Sequence, residues 1–298
     1  MERRADLHLH TYYSDGTFSP AEVVRRAKAL GLAAIAITDH DTVAGISEAK
    51  AAAGQELEVI AGVELTAAFR DRELHILGYF LEWEDPAFVD LLNRMRDYRL
   101  DRIQAMIDRL REKGVASLTL EEVRSVAGPG VIGRPHLAQA LVNRKAISSM
   151  QEAFDRYIGD DGPCFVKGAT LTVPQAVETL KAAGGVSVLA HPYRIVDDDW
   201  IPELVAGGIQ GIEAHHSDQS ESVARRYQEV AKRHQLLVAG GSDCHGFRRS
   251  KGPLIGTVAV PYSVVEDLRS MSSSRTRGSD SRRSLPSATT EGGNDETS

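Results

Sequence analysis

The feature that most constrains this chain is a recurring one: short apolar runs that each stop at a cluster of ionisable side chains. Residues 33–38 run into Asp39-His40-Asp41 and residues 58–63 into Glu64. Residues 185–190 run into His191, 209–214 into His215-His216, and 236–241 into Ser242-Asp243-Cys244-His245. Runs of this length without polar alternation predict strands buried on both faces of a parallel sheet. Helical stretches lie between them. The first opens at Ser19-Pro20-Ala21-Glu22, where Ser19 caps, Pro20 fits the first turn and Glu22 completes a capping box; a second covers about residues 43–53. Strand, helix, strand therefore recurs, and in barrels and open α/β sheets alike chemistry sits at the C-terminal ends of strands.

The chain begins with the same device in another form. Asp6-Leu7-His8-Leu9-His10 alternates polar and apolar, so a strand there points both imidazoles to one face. Two neutral imidazoles on one rigid backbone suit a divalent metal, and a short turn later Asp15 offers a hard oxygen ligand. A further run, 74–80, carries His75 inside it, and a last strand is expected over 254–260. The candidate ligands are thus His8, His10, Asp15, His40, Glu64, His75, His191, Asp243 and His245. One histidine at a strand end is ordinarily a hydrogen-bonded structural residue. Six of the ten histidines fall at or near strand ends in separate motifs, and desolvating that many without a common partner is costly.

Other residues have blander readings. Cys244 alternates with Asp243 and His245 and reads as packing. Asp39 and Asp41 flank His40, where turn chemistry competes with a supporting or proton-transfer role; Asp41 is carried as a catalytic candidate. His215 and His216 have no partner spacing and read as rim residues, and His234 lies in a polar helix.

From residue 86 to 113 the period changes to one long amphipathic helix, followed by a capping box at Thr119-Leu120-Glu121-Glu122 and short helices around 136–143 and 149–158. This predicts an all-helical insertion, 86–162, in an α/β body made of 1–85 and 163–269. Within it, Gly133-Arg134-Pro135-His136 sets an Arg and a His on a stiffened backbone, a display suited to phosphate oxygens. Arg194, three residues past His191, has the same standing and is a candidate at the reacting phosphate. Residues 270–298 are Ser, Arg, Gly and Thr with few apolar side chains, and predict a disordered tail.

A net charge of −7 speaks against duplex DNA and against a membrane surface, since both need a basic face. The tail carries four Arg against four Asp and Glu, so the excess belongs to the folded body. Two cysteines, Cys164 and Cys244, make no disulfide framework, and no signal peptide opens the chain, which reads as cytoplasmic with no protein partner implied.

In order, Asp6-Leu7-His8-Leu9-His10, Ser14-Asp15-Gly16, Thr38-Asp39-His40-Asp41, Gly62-Val63-Glu64, His75, Ala190-His191-Pro192 and Gly241-Ser242-Asp243-Cys244-His245 resemble the successive motifs of the PHP (polymerase and histidinol phosphatase) superfamily. The match runs from about Asp6 to Val260. The resemblance implies an α/β fold, a distorted seven-stranded TIM-like barrel, with two to three divalent ions (Mn, Zn or Fe). It assigns one metal to His8, His10, Glu64 and Asp243, a second to Glu64, His75 and His191, and a third to Asp15, His40 and His245. The Arg-Pro-His insertion resembles the branch of 3′,5′-nucleoside bisphosphate phosphatases, which includes RNase AM-like enzymes that trim short RNA from the 5′ end. The expected activity is metal-assisted hydrolysis of a nucleotide phosphoester, on a small nucleotide or a short oligoribonucleotide, with Arg134, His136 and Arg194 holding phosphate oxygens. Histidinol-phosphate phosphatase, a nuclease on longer RNA and a non-catalytic metal-binding module are the alternatives.

Overall fold

The computed structural model describes residues 2–168, 171–194, 197–248 and 252–276. The chain opens with β1 (Arg4–Leu9), α1 (Pro20–Ala29), β2 (Ala34–Ile37) and α2 (Ile46–Ala53). The long β3 (Glu58–Phe69) then turns directly into β4 (Arg72–Tyr79). Four helices follow, α3 (Pro86–Glu112), α4 (Leu120–Ala127), α5 (Arg134–Asn143) and α6 (Met150–Ala153), the last continuing as a π-helical turn over Phe154–Ile158. The body resumes with β5 (Leu171–Thr172), α7 (Val173–Ala182), β6 (Val186–Leu189), α8 (Ile201–Ala206), β7 (Gly211–His216), α9 (Glu221–His234) and β8 (Leu237–Gly241). β9 (Val260–Pro261) and α10 (Tyr262–Thr276) complete it.

The strands form one sheet in the order β8-β7-β6-β4-β3-β2-β1-β9, with β5 beside β3. It curls until its two sides meet: Leu9 and Cys244 form a parallel bridge, and the His10 N–H donates to the Cys244 carbonyl at 3.1 Å. Closure needs a glycine. A Cβ at Gly241 would stand 2.4 Å from the His8 nitrogen, so a side chain there would force β8 away from β1. The result is a nearly closed, barrel-like sheet.

Its interior is filled by Leu7, Ala36, Ile60, Leu77, Tyr79, Val188 and Ala239, and one end is stoppered by Val265 and Leu268 of α10, all in one buried cluster. The Tyr79 hydroxyl donates to the Leu7 carbonyl at 2.9 Å, satisfying a polar atom that the core would otherwise strand. Outside, α1 sets Val23, Val24 and Ala27 against the sheet, capped at Ser19 as its sequence dictates. The helices α3 to α6 have a second core of their own: Ile103, Met106, Ile107, Leu110, Val123, Leu137, Leu141 and Ile158. Burying each such side chain contributes about 1.5–3 kcal/mol. No helix among the described residues is long and apolar enough to cross a membrane.

The sequence expectation fails at four places. The strand expected over 58–63 extends through Phe69 and pairs antiparallel with β4, which is itself antiparallel to β6. Strict β/α alternation therefore breaks there. The two-residue turn Arg70-Asp71 carries no Asn-Gly signal, and Arg70 itself takes φ +54°. The strand expected over 254–260 is largely a turn: the Gly256 N–H donates to Asp6 at 2.8 Å and the Leu254 N–H to the Cys244 sulfur at 3.3 Å, so these donors do not enter the sheet. The second helix starts at Ile46, three residues later than expected. Finally, α10 continues through Thr276, with Met271 packed on the barrel core and the Ser272 hydroxyl donating to Gly184 at 2.8 Å. The tail expectation thus fails for residues 270–276, and residues 277–298 lie outside those described.

Candidate metal centre

The strand ends converge on one rim. His8 lies in β1 and His10 one residue beyond it; His40 follows β2 and bridges to Glu64 of β3. His75 reaches the same rim from the first half of β4, because that strand runs the opposite way and opposes Thr66. His191 follows β6, and Asp243 and His245 follow β8. Three of these turns hold a non-glycine residue in the left-handed region: Asp41 at φ +48°, His191 at +27° and Asp243 at +50°. Such conformations cost about 1–3 kcal/mol each and cluster at functional sites.

Glu64 is the hub. Its Oε2 stands 3.2 Å from His8 Nε2, 3.1 Å from His10 Nε2 and 3.3 Å from His40 Nδ1. Its Oε1 stands 2.8 Å from His75 Nδ1 and 3.0 Å from His191 Nε2. Asp243 Oδ1 lies 3.5 Å from His8 and 3.3 Å from His10, and Asp15 Oδ1 lies 3.2 Å from His245 Nε2. All nine expected ligands are brought together. Three subsets have ligand atoms within 4.8 Å of one another: His10, Asp15, His40 and His245; His8, His10 and Asp243; and His40, Glu64 and His75. His10 and His40 are each shared between two subsets, a tighter interleaving than the three-way division the family resemblance implies.

Burial alone would raise the carboxyls, but the surrounding imidazoles hold Glu64, Asp15 and Asp243 well below the usual carboxylate range. Burial likewise lowers His10, yet Asp243 and Glu64 pull it up to about 10. The rim is a field built to attract cations. Its atoms also fit a metal in detail. His10 Nε2, His40 Nδ1, His75 Nδ1, His191 Nδ1 and Asp15 Oδ1 are buried without a hydrogen-bond partner among the described residues. Apart from His191 Nδ1, whose ring meets Glu64 through Nε2, these are atoms that coordinated ions would satisfy.

The rim opens into a cleft with two lobes. One is lined by Glu64, His191, Arg194, Asp243 and His245; the other leads past Asp15, His40 and His75 to Arg99, Arg102, Gly133 and Arg134. Pro135 and Phe154 border both lobes. Arg134 lines the second lobe, with Nη1 2.5 Å from Asp160 and Nη2 3.6 Å from Glu73. Arg194 stands at the rim, 3.8 Å from Asp243 and 2.7 Å from Asp218.

Several expectations need correction. His136 is buried, and its Nδ1 accepts from the Gly133 N–H at 3.1 Å: it caps α5 and is not displayed to a phosphate. Asp41 uses both oxygens, one accepting from the Thr66 N–H at 2.8 Å and the other from the Arg99 Nε at 2.7 Å, so of the roles left open for it the geometry favours support, with Asp41 holding Arg99, over proton transfer. His216 is buried, 3.1 Å from Asp243 Oδ2, and no rim residue. Only His215 stays near the surface, against Gln228. The sequence reading also missed Arg99, Arg102 and Glu213. Phe88, Leu92, Met95, Arg99, Arg102, Met106 and Leu110 share one stripe of α3 by spacing, so two arginines interrupting an apolar face were a readable signal.

The sequence matches the family described as PHP domain over residues 6–159. It is 35% identical over 251 residues to a 5′-3′ exoribonuclease of Haemophilus influenzae, covering 82% of this chain and 91% of the relative. It is 33% identical over 246 residues to the 3′,5′-nucleoside bisphosphate phosphatase of Chromobacterium violaceum, covering 80% of this chain and 86% of the relative. The fold superposes on a candidate metal-dependent phosphoesterase of Bifidobacterium adolescentis with a TM-score of 0.79 at 31% identity, covering 89% of this chain and 94% of the other.

Proposed function

The chain belongs to the PHP domain family, and from that premise we propose that it is a metal-dependent phosphoesterase removing the 3′-phosphate of a 3′,5′-nucleoside bisphosphate. The observation that carries this reading is the two-lobed cleft, with a ligand-rich rim at one end and Arg99, Arg102 and Arg134 at the other. A bisphosphate has one phosphate to cleave and one to be held at a distance, and the cleft offers a place for each.

The metals are assigned to His8, His10, Asp15, His40, Glu64, His75, His191, Asp243 and His245. Divalent ions held by these residues would supply Lewis acidity, lowering the pKa of a bound water and offsetting charge on the transferring phosphoryl group. The residues of the chain do the rest. Arg194 offers donors to the oxygens of the reacting phosphate from the rim. Arg134 holds the distal phosphate through its planar fork. Arg99 is fixed by Asp41 and Thr66, and Arg102 by Glu73 and the Val166 carbonyl, so both cations are positioned before substrate arrives. The same placement suits the 5′ end of a short oligoribonucleotide, in keeping with the exoribonuclease named among the relatives. We place the enzyme in the cytoplasm, as the sequence reading expects.

Phosphate release tests the reading. Metal-stripped protein should be inactive, and protein reloaded with Mn²⁺ should hydrolyse adenosine 3′,5′-bisphosphate with kcat/KM at least about tenfold above that for histidinol phosphate. A preference for histidinol phosphate, or full activity without metal, would overturn it.

A further inference from the structure

Of the strands around the rim, β7 supplies none of the nine expected ligands, yet it buries two ionisable side chains beneath them. Glu213 is fully buried: its Oε1 accepts from His8 Nδ1 at 2.9 Å and its Oε2 from the His191 N–H at 2.7 Å. His216, three residues on, stands 3.1 Å from Asp243 Oδ2 through Nε2. In a regular strand, residues three apart point to opposite faces. Here they share one, because the register with β8 slips: Glu213 pairs with Ala239, but His215 already pairs with Gly240. Ala214 is the extra residue of a bulge, and bulges re-aim side chains near functional sites.

The hydrogen bonds fix the His216 tautomer. Its Nδ1 accepts from the Asp218 N–H at 3.0 Å and faces the Tyr193 hydroxyl at 3.2 Å. That hydroxyl in turn accepts from Arg194 Nε at 2.9 Å, leaving its own proton for the imidazole. With Nδ1 an acceptor, the proton lies on Nε2 and is donated to Asp243. A polarised chain thus runs from Arg194 at the cleft rim to a carboxylate in the metal cluster.

We propose that the β7 bulge makes Glu213 and His216 positioning residues for the metal centre, Glu213 orienting His8 and His216 orienting Asp243. The inference rests on the metal reading above but not on the identity of the substrate. A ligand imidazole whose other nitrogen donates to a carboxylate is held in one tautomer and made more basic, and a ligand carboxylate held by a donor keeps its second oxygen aimed at the ion.

The test is Mn²⁺ titration by calorimetry on metal-stripped full-length protein, with the melting temperature of the metal-free form as the control for folding. His216→Ala should raise the Mn²⁺ Kd about 10–100-fold with little change in that control. His216→Gln, whose amide N–H can replace the Nε2 proton, should recover most of the affinity. Glu213→Gln, which keeps the shape but not the charge, should weaken Mn²⁺ as well, and it carries the test if His216→Ala does not fold. Affinities within twofold of wild type for both His216→Ala and Glu213→Gln would overturn the proposal. So would a glutamine variant at 216 as weak as alanine with an unchanged melting temperature. Normal Mn²⁺ binding by wild type without nucleotide hydrolysis would sink the substrate reading and leave this inference standing; no Mn²⁺ binding by wild type would sink both.

Discussion

The two ends of the cleft are built by opposite means. At the rim, every proposed ligand sits on a strand or within six residues of its end, and most are buried, with Glu64 only 1% exposed amid five imidazoles. At the far end the charges sit on long side chains from helices and are steadied by paired carboxylates: Asp41 for Arg99, Glu73 for Arg102 and Asp160 for Arg134. The rim is over-determined by backbone. The wall is set by side-chain pairs that a substrate phosphate can compete with. A centre that must hold ions in one geometry needs the first construction, and a surface that must release product is served by the second.

The largest effect should come from the rim. Glu64→Gln removes the charge shared by five imidazoles, and kcat/KM should fall by about 10³-fold or more, roughly 4 kcal/mol of transition-state stabilisation. Metal analysis should show fewer ions than the about two to three expected in wild type, since one residue serves several ligands. A variant with most of the wild-type rate would break the assignment of Glu64 as hub.

The wall should respond more gently. Asp41→Asn keeps an acceptor for the Thr66 N–H but frees Arg99 from its ion pair. We expect kcat/KM on the bisphosphate to drop about tenfold, near 1.4 kcal/mol, with Mn²⁺ affinity unchanged. A loss of Mn²⁺ affinity would place Asp41 with the rim and blur the contrast.

Away from the cleft, truncation after Leu268 should leave kcat/KM intact and lower stability by about 1–2 kcal/mol. It removes Arg269, which pairs with Glu58, and Met271, which packs on the barrel core. A thermal melt unchanged by that truncation would show that the end of α10 adds nothing to the stopper.

The same contrast explains what the sequence disclosed. Strands have a fixed period and barrels place their strand ends together, so His8, His10, His40, His191, Asp243 and His245 could be assembled from their positions alone. Glu64 meets the other expected ligands although β3 runs five residues past it, because the bridge to His40 depends on local register and not on where the strand stops. His216 was misread because a bulge changes the face without changing the composition, and nothing in Glu213-Ala214-His215-His216 marks the extra residue. On the wall, the Gly-Arg-Pro setting points to Arg134, which does line the cleft, but His136, expected beside it, folds its ring back to cap the helix. Arg99 and Arg102 were passed over because a charged residue on a long helix is ordinarily solvated; their place on the apolar stripe of α3 marks them as unusual, and the packing of α3 over the cleft gives them a destination.

Arg134 offers the most direct test that the two ends have separate jobs. If the rim cleaves and the wall holds the distal phosphate, Arg134→Ala should lower kcat/KM for adenosine 3′,5′-bisphosphate about 10–100-fold, roughly 1.5–3 kcal/mol for a lost charge-assisted contact. Hydrolysis of p-nitrophenyl phosphate, which has no second phosphate, should stay within about twofold of wild type. Equal losses on both substrates would contradict the division by placing Arg134 at the reacting phosphate, and no loss on either would remove the wall from the mechanism.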